Sequence, residues 1–137
     1  MRISQKLEYA CRAMARMAAH HDAPGLTRLE ELAQREAVSP NFLVQILNDL
    51  RRAGLTESRR GKSGGYRLAR PPAAIRLRQI VEAVEPSLLR CAVSPDGESG
   101  PAVRQAWLEI SQGLSSRLDE VTLEQLVARN ADPMFHI

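Results

Sequence analysis

The residues best suited to chemistry lie in one run, "SRRGKSGGYRL", Ser58 to Leu68, which holds Arg59, Arg60, Lys62, Arg67 and three glycines. Its Gly61-Lys62-Ser63 invites comparison with a nucleotide phosphate loop, which needs a further glycine five residues before Gly61, a preceding strand and a following helix. Position 56 is Thr56, and the residues after Ser63 are Gly64 and Gly65, with Pro71 and Pro72 close behind, so no long helix can start there. As the tip of a β-hairpin the same residues make sense: glycine permits positive φ and close backbone approach, while the cations project outward. Such a tip is suited to holding phosphates of a polyanion.

Few other residues carry reactive chemistry. Cys11 and Cys91 are the only cysteines, too few for a disulfide scaffold. His20 and His21 stand beside a helix-ending loop and His136 near the C-terminus, with no nucleophile at a recognisable spacing, so the sequence is not read as an enzyme. The charge is more informative. From Arg51 to Arg78 there are nine Lys/Arg and one acid, Glu57, out of 19 basic and 16 acidic residues in the chain. A basic island on an otherwise acidic chain is the footprint of a polyanionic partner. No apolar run reaches the roughly 18 residues of a membrane span. The N-terminus lacks a secretory h-region, so the expected location is the cytoplasm.

The elements that position these residues follow from periodicity. With 137 residues and 4% aromatics, one compact unit with an aliphatic core is expected. Leu7, Ala10, Cys11, Met14, Met17 and Ala18 form one stripe of a helix from about Ser4 to Ala19. Thr27 with Glu30 has the spacing of a capping box opening a second helix, which buries Leu29, Leu32 and Ala33 and ends near Glu36. Ser39 as N-cap with Pro40 behind it opens a third helix that Gly54 ends. Two short helices joined by a tight turn predict a helix-turn-helix.

In the third helix Leu43, Ile46, Leu47 and Leu50 share one face. Asn41, Gln45, Asn48 and Arg52 lie opposite, with Val44 and Arg51 on a flank. Amide side chains are poor choices for a merely solvated helix, but they pair bidentately with adenine in a major groove. Runs Leu55–Arg60 and Tyr66–Arg70 then predict a hairpin, a wing on the helix-turn-helix. A fourth helix follows with Ile80, Val81 and Val84 inside and Pro86 at its end. After the loop "AVSPDGESG" comes a long helix from Pro101, striped by Val103, Trp107, Ile110, Leu114, Leu118 and Val121. Thr122 and Gln125 cap a short last helix. Either the first helix or a second chain is expected to cover the long stripe.

With these motifs in place, the chain resembles the bacterial regulator family that includes the iron–sulfur cluster regulator (IscR), the nitric-oxide-sensitive repressor (NsrR) and the cysteine-metabolism repressor (CymR). The resemblance rests on "EYACRAM", "SPNFLVQILNDLRRAGL", "SRRGKSGGYRLARPPAAI" and "IVEAVEP" and covers nearly the whole chain. It implies a mainly α fold: a winged helix-turn-helix with a two-stranded wing (residues 1–86), a loop at the sensor position (87–100), and a dimerisation helix with a short C-terminal helix (101–137). It also implies a homodimer that binds a palindromic operator in double-stranded DNA as a repressor. Asn41, Val44 and Gln45 match positions that face bases in such regulators, and Arg60 matches the wing arginine. Ser39, Asn48, Arg52, Arg59, Gly61, Lys62, Gly64 and Gly65 complete the expected DNA-binding set. Where Val44 stands the family often has glutamate, so base preference there should differ. Val44 can meet a thymine methyl but accepts no hydrogen bond from cytosine.

Three further departures define expectations. Ala37 stands where the turn often has glycine, and Arg76 where Ser or Thr caps the fourth helix, so another group must cap it. Cluster-binding members carry three loop cysteines, of which only Cys91 is matched. With Glu8 and Cys11 the remaining sensor candidates, no cofactor or metal is expected, since a cluster needs several thiolates or substitutes. The signal is then a small molecule or partner protein, or oxidation of Cys91 beside Arg90, with Cys11 a buried hydrophobe. An adaptor of the same fold whose main partner is another protein is the competing function.

Overall fold

The computed structural model describes residues 1–23, 25–131 and 134; Pro24 and His136 lie outside them. Six helices and one hairpin follow in the order α1 (Gln5–Ala19), α2 (Leu29–Glu36), α3 (Pro40–Arg52), β1 (Thr56–Arg59), β2 (Gly65–Leu68), α4 (Leu77–Val84), α5 (Gly100–Glu120) and α6 (Leu123–Ala131). Short 3-10 turns, Pro72–Ala74 and Pro86–Leu89, flank α4.

α1 starts where Ser4 Oγ accepts the Leu7 amide at 3.1 Å, meeting one of the helix's orphan donors. The Ser4 hydroxyl also donates to Glu85 Oε2 at 2.9 Å, fastening α1 to the end of α4. α1 buries Leu7, Ala10, Ala13, Met14, Met17 and Ala18, while Cys11 sits at the edge of the stripe, half-buried. α3 has the expected cap, with Ser39 Oγ accepting from Phe42 at 3.2 Å, and the expected inner face of Leu43, Ile46, Leu47 and Leu50. These four are fully buried, and each such side chain stabilises the fold by roughly 1.5–3 kcal/mol.

The second helix opens differently from the expected capping box. Its N-cap is Arg28, with no side-chain cap. Thr27 instead exchanges two backbone hydrogen bonds with Tyr66, at 2.9 and 2.7 Å, as an isolated bridge on the outer edge of β2. A main-chain pair with the wing displaces the local cap because it satisfies two backbone groups at once. At its other end Ala37 lies at φ 57, ψ 48. The Val38 amide reaches the Ala33 carbonyl at 3.0 Å and the Ala37 amide the Gln34 carbonyl at 3.4 Å. This is the Schellman closure, in which a left-handed residue turns the chain and the next side chain, here the buried Val38, folds inward.

The two strands are shorter than their sequence runs. Leu55 donates its amide to the Leu50 carbonyl and so closes α3, leaving Thr56 to begin the ladder, which runs from Thr56↔Leu68 to Arg59↔Gly65. Arg76 at the start of α4 is relieved as anticipated: Gln79 Oε1 accepts its amide at 2.8 Å, and the Val121 carbonyl accepts the Leu77 amide at 2.8 Å.

α6 is part of the same core as the winged helix. Leu123 is fully buried, and its amide donates to the Ile75 carbonyl. α6 packs on α1, while α5 packs on α4 and the Pro86–Leu89 turn. The α5 stripe therefore splits. Leu118 packs on the core, Val121 is held by α4, and Leu114 is half-buried. Val103, Trp107 and Ile110 are 47%, 52% and 59% exposed, a ridge that α1 leaves uncovered.

Candidate nucleic-acid interface

The face predicted for α3 is presented to solvent: Ser39, Asn41, Gln45 and Arg52 are exposed, Val44 and Asn48 half-exposed. Two ties hold the helix from which they project. Lys6 of α1 meets Asp49 at 2.6 Å, and Arg51 Nη1 donates to Ser58 Oγ of β1 at 3.2 Å. Between α3 and the hairpin lies an open cleft of about 360 Å³, bordered by Asn48, Arg51, Arg59, Arg60, Gly61 and Arg28.

The glycines do different jobs. Gly61, at φ 104, turns the tip and has open space around it. Gly64 is buried, and a Cβ there would stand 2.3 Å from the Arg59 carbonyl oxygen. At Gly65, φ 147, a Cβ would stand 2.3 Å from the Thr27 carbonyl oxygen. Gly64 and Gly65 thus shape the wing and its seat on Thr27, while Gly61 stands at the surface. Arg28, not singled out from the sequence, reaches across to donate from Nη1 to the Lys62 carbonyl at 2.6 Å. Thirty-four positions separate the two residues, so no local pattern marks the contact.

Electrostatics set the wing tip apart from three other members of the basic island. Arg67 is paired with Glu57 at 2.9 Å, Arg78 with Asp119 and Glu82 at 3.0 Å each, and Arg52 lies 3.6 Å from Asp49. Arg59, Arg60 and Lys62 are exposed and carry no ion pair among the described residues. Three uncompensated cations at one tip, beside an amide-bearing helix face, form a surface that can neutralise phosphates and read base edges together.

The sensor candidates are dispersed. Glu8 is held by Arg12 at 2.6 Å. Burial pushes the Cys11 thiol up to about 11, so it stays protonated and is a poor thiolate ligand. Cys91 is half-buried in a shallow groove beside Arg78, Leu108 and Ser111. His20 and His21 line a different groove, with Glu57 and Arg67. Among the described residues no three His, Cys, Asp or Glu side chains come together as a metal site. No helix among them is long and apolar enough to cross a membrane.

Comparison with known proteins agrees with this arrangement. The Rrf2 family, described as iron-dependent transcriptional regulators, matches residues 3–129. An rrf2-like HTH-type transcriptional regulator of Rhodobacter capsulatus is 33% identical over 138 residues, 92% of each chain. The HTH-type regulator CymR of Bacillus subtilis is 37% identical over 128 residues, 93% of this chain and 91% of its own. The solved structure of CymR, described as the global cysteine regulator of that organism, superimposes with a TM-score of 0.81 at 36% identity, covering 93% of this chain and 97% of that one. IscR of T. potens follows with a TM-score of 0.78 at 31% identity over 96% and 89%. The donor set of this chain does not fit an iron–sulfur cluster held within one protomer: one loop thiol, one carboxylate already paired, and one half-buried, protonated thiol on another element.

Proposed function

The chain belongs to the Rrf2 family of transcriptional regulators, and on that premise we propose that it acts in the cytoplasm as a homodimeric repressor on a palindromic operator. α3 enters the major groove, where Gln45 and Asn41 pair with base edges, Val44 meets a thymine methyl, and Ser39, Asn48 and Arg52 flank them. Arg59, Arg60 and Lys62 follow the backbone or dip into the adjacent minor groove, with Gly61 letting the tip approach closely. The exposed ridge of Val103, Trp107 and Ile110 packs against the same ridge of a second copy, in line with the isologous contact of a two-fold dimer.

The observation that carries the reading is the concentration of three unpaired cations at the wing tip, while Arg52, Arg67 and Arg78 of the same island are neutralised by neighbours. An adaptor that bound only proteins would have no need of it. The test is operator binding across a salt series. Affinity is expected to fall with a log–log slope of several units, and Lys62→Ala to reduce that slope by about one. A flat response would overturn the proposal. The signal is read without a resident cluster, so anaerobically isolated protein is expected to lack stoichiometric iron and acid-labile sulfide. Visible absorption with both present would refute that part.

A further inference from the structure

A second concave site lies between α1, the end of α2 and α6, and shares no lining residue with the α3–wing cleft. It is a groove of about 340 Å³ whose apolar wall includes Leu126 and Val127 of α6 and whose polar groups include Arg12, Arg16 and Glu36. That volume is in the range of small-molecule sites.

The two arginines differ. Arg12 is fully engaged: it pairs with Glu8 at 2.6 Å, donates to the Glu36 carbonyl at 3.3 Å, and lies over the Tyr9 ring at 5.3 Å. Arg16 has no partner among the described residues. Its Nε is buried without an acceptor, and its guanidinium makes no ion pair or hydrogen bond among the described residues. Glu36, on the same groove, does not approach it closely enough to pair. The last turn of α1, where Arg16 sits, favours a cation through the helix dipole but offers these donors no acceptor. A buried N–H without an acceptor is uncommon and unfavourable, and Arg16 itself lines the groove, so its guanidinium suits an oxygen ligand there.

We propose that this groove is the effector site of the protein and binds a small organic carboxylate with an apolar body. The carboxylate accepts from Arg16, whose planar fork suits two parallel hydrogen bonds, and the body lies on Leu126 and Val127. Glu36 is the last residue of α2, and its carbonyl is held by Arg12. Ala37 and Ser39 then lead into α3, so an occupant bears on the seat of the reading helix. Through that contact effector and operator alter each other's affinity by the same factor. This last step rests on the DNA-binding reading; the binding itself does not.

The test therefore uses the DNA-free full chain. Straight-chain carboxylates from butyrate to decanoate, with benzoate and phenylacetate, are titrated by calorimetry and thermal shift against the matched neutral amides. At least one acid is expected to bind and raise the Tm, its amide binding about tenfold or more weakly. Arg16→Met should abolish the preference for the acid. Ala19→Trp, a filling change at the exposed rim of the groove that leaves Arg16 in place, should block acid and amide alike. The proposal is overturned if no acid in the series shifts the Tm, if acids and amides bind equally, or if binding survives both variants. Such a failure beside intact salt-dependent operator binding would leave the DNA-binding reading standing.

Discussion

Replacing Ala37 by glycine is expected to stabilise the protein without weakening its grip on DNA. Ala37 is the one non-glycine residue with positive φ among the described residues, at φ 57 and ψ 48. A left-handed L-residue costs about 1–2 kcal/mol through the clash of Cβ with the following carbonyl. Glycine removes that clash but loses about 0.5–1 kcal/mol more backbone entropy on folding. The net gain is about 0.5–1 kcal/mol, or about 2–4 °C in Tm for a chain of this size. Ala37 is exposed, and the hydrogen bond its amide donates to the Gln34 carbonyl does not involve the side chain, so nothing else is lost. Urea unfolding at fixed protein concentration should show a higher midpoint with unchanged slope. Ala53→Gly is the internal control. Ala53 lies at φ −79, ψ −2, where alanine is unstrained, so the same substitution should destabilise by about 0.5–1 kcal/mol. If both variants moved stability in the same direction, the left-handed assignment of the turn between α2 and α3 would be wrong.

Four other outcomes are expected. Gln45→Ala should cost about 1–3 kcal/mol on the cognate operator and relax preference at one base pair; a mutant with unchanged preference, measured by competition with single-base variants, would mean another face of α3 reads the groove. Gly64→Ala should weaken operator binding through a displaced wing, because the new methyl meets the Arg59 carbonyl at 2.3 Å; unchanged binding would show that the tip yields freely. Trp107→Asp should shift sedimentation from dimer to monomer, since it puts a charge on a ridge that is 52% exposed in the single chain; an unchanged dimer would place the interface elsewhere. At pH 8 alkylation of Cys11 should be on the order of a hundredfold slower in the folded protein than in urea, because burial raises its thiol to about 11 from 9.0 and leaves less thiolate. Similar rates in both states, read by mass spectrometry, would refute that burial.

Local features were legible because their physics is local. The cap at Ser39, the apolar face Leu43–Leu50 and the Thr122–Gln125 capping box all fall within a few residues, and each is present as read. The capping box at Thr27 was misleading for a related reason: the spacing was right, but the Tyr66 backbone, thirty-nine positions away in sequence, competed for the same residue and won. Gly61 and Gly64 lie in the turn as read, while Gly65 already begins β2 opposite Arg59. Which of them faces solvent and which avoids a carbonyl depended on packing that no pattern records.

Residue type, period and count were enough to indicate the helix-turn-helix, the wing, the basic island, the outward amides of α3 and the shortage of cluster ligands. Long-range packing sets which cations are free, brings Arg28 to the wing tip, joins α6 to the core through Leu123, and narrows the exposed α5 ridge to Val103, Trp107 and Ile110. The same holds for Arg16, left without a partner among the described residues. Pairing and exposure depend on what arrives from distant parts of the chain, and the reach of a side chain is set in space rather than along the backbone.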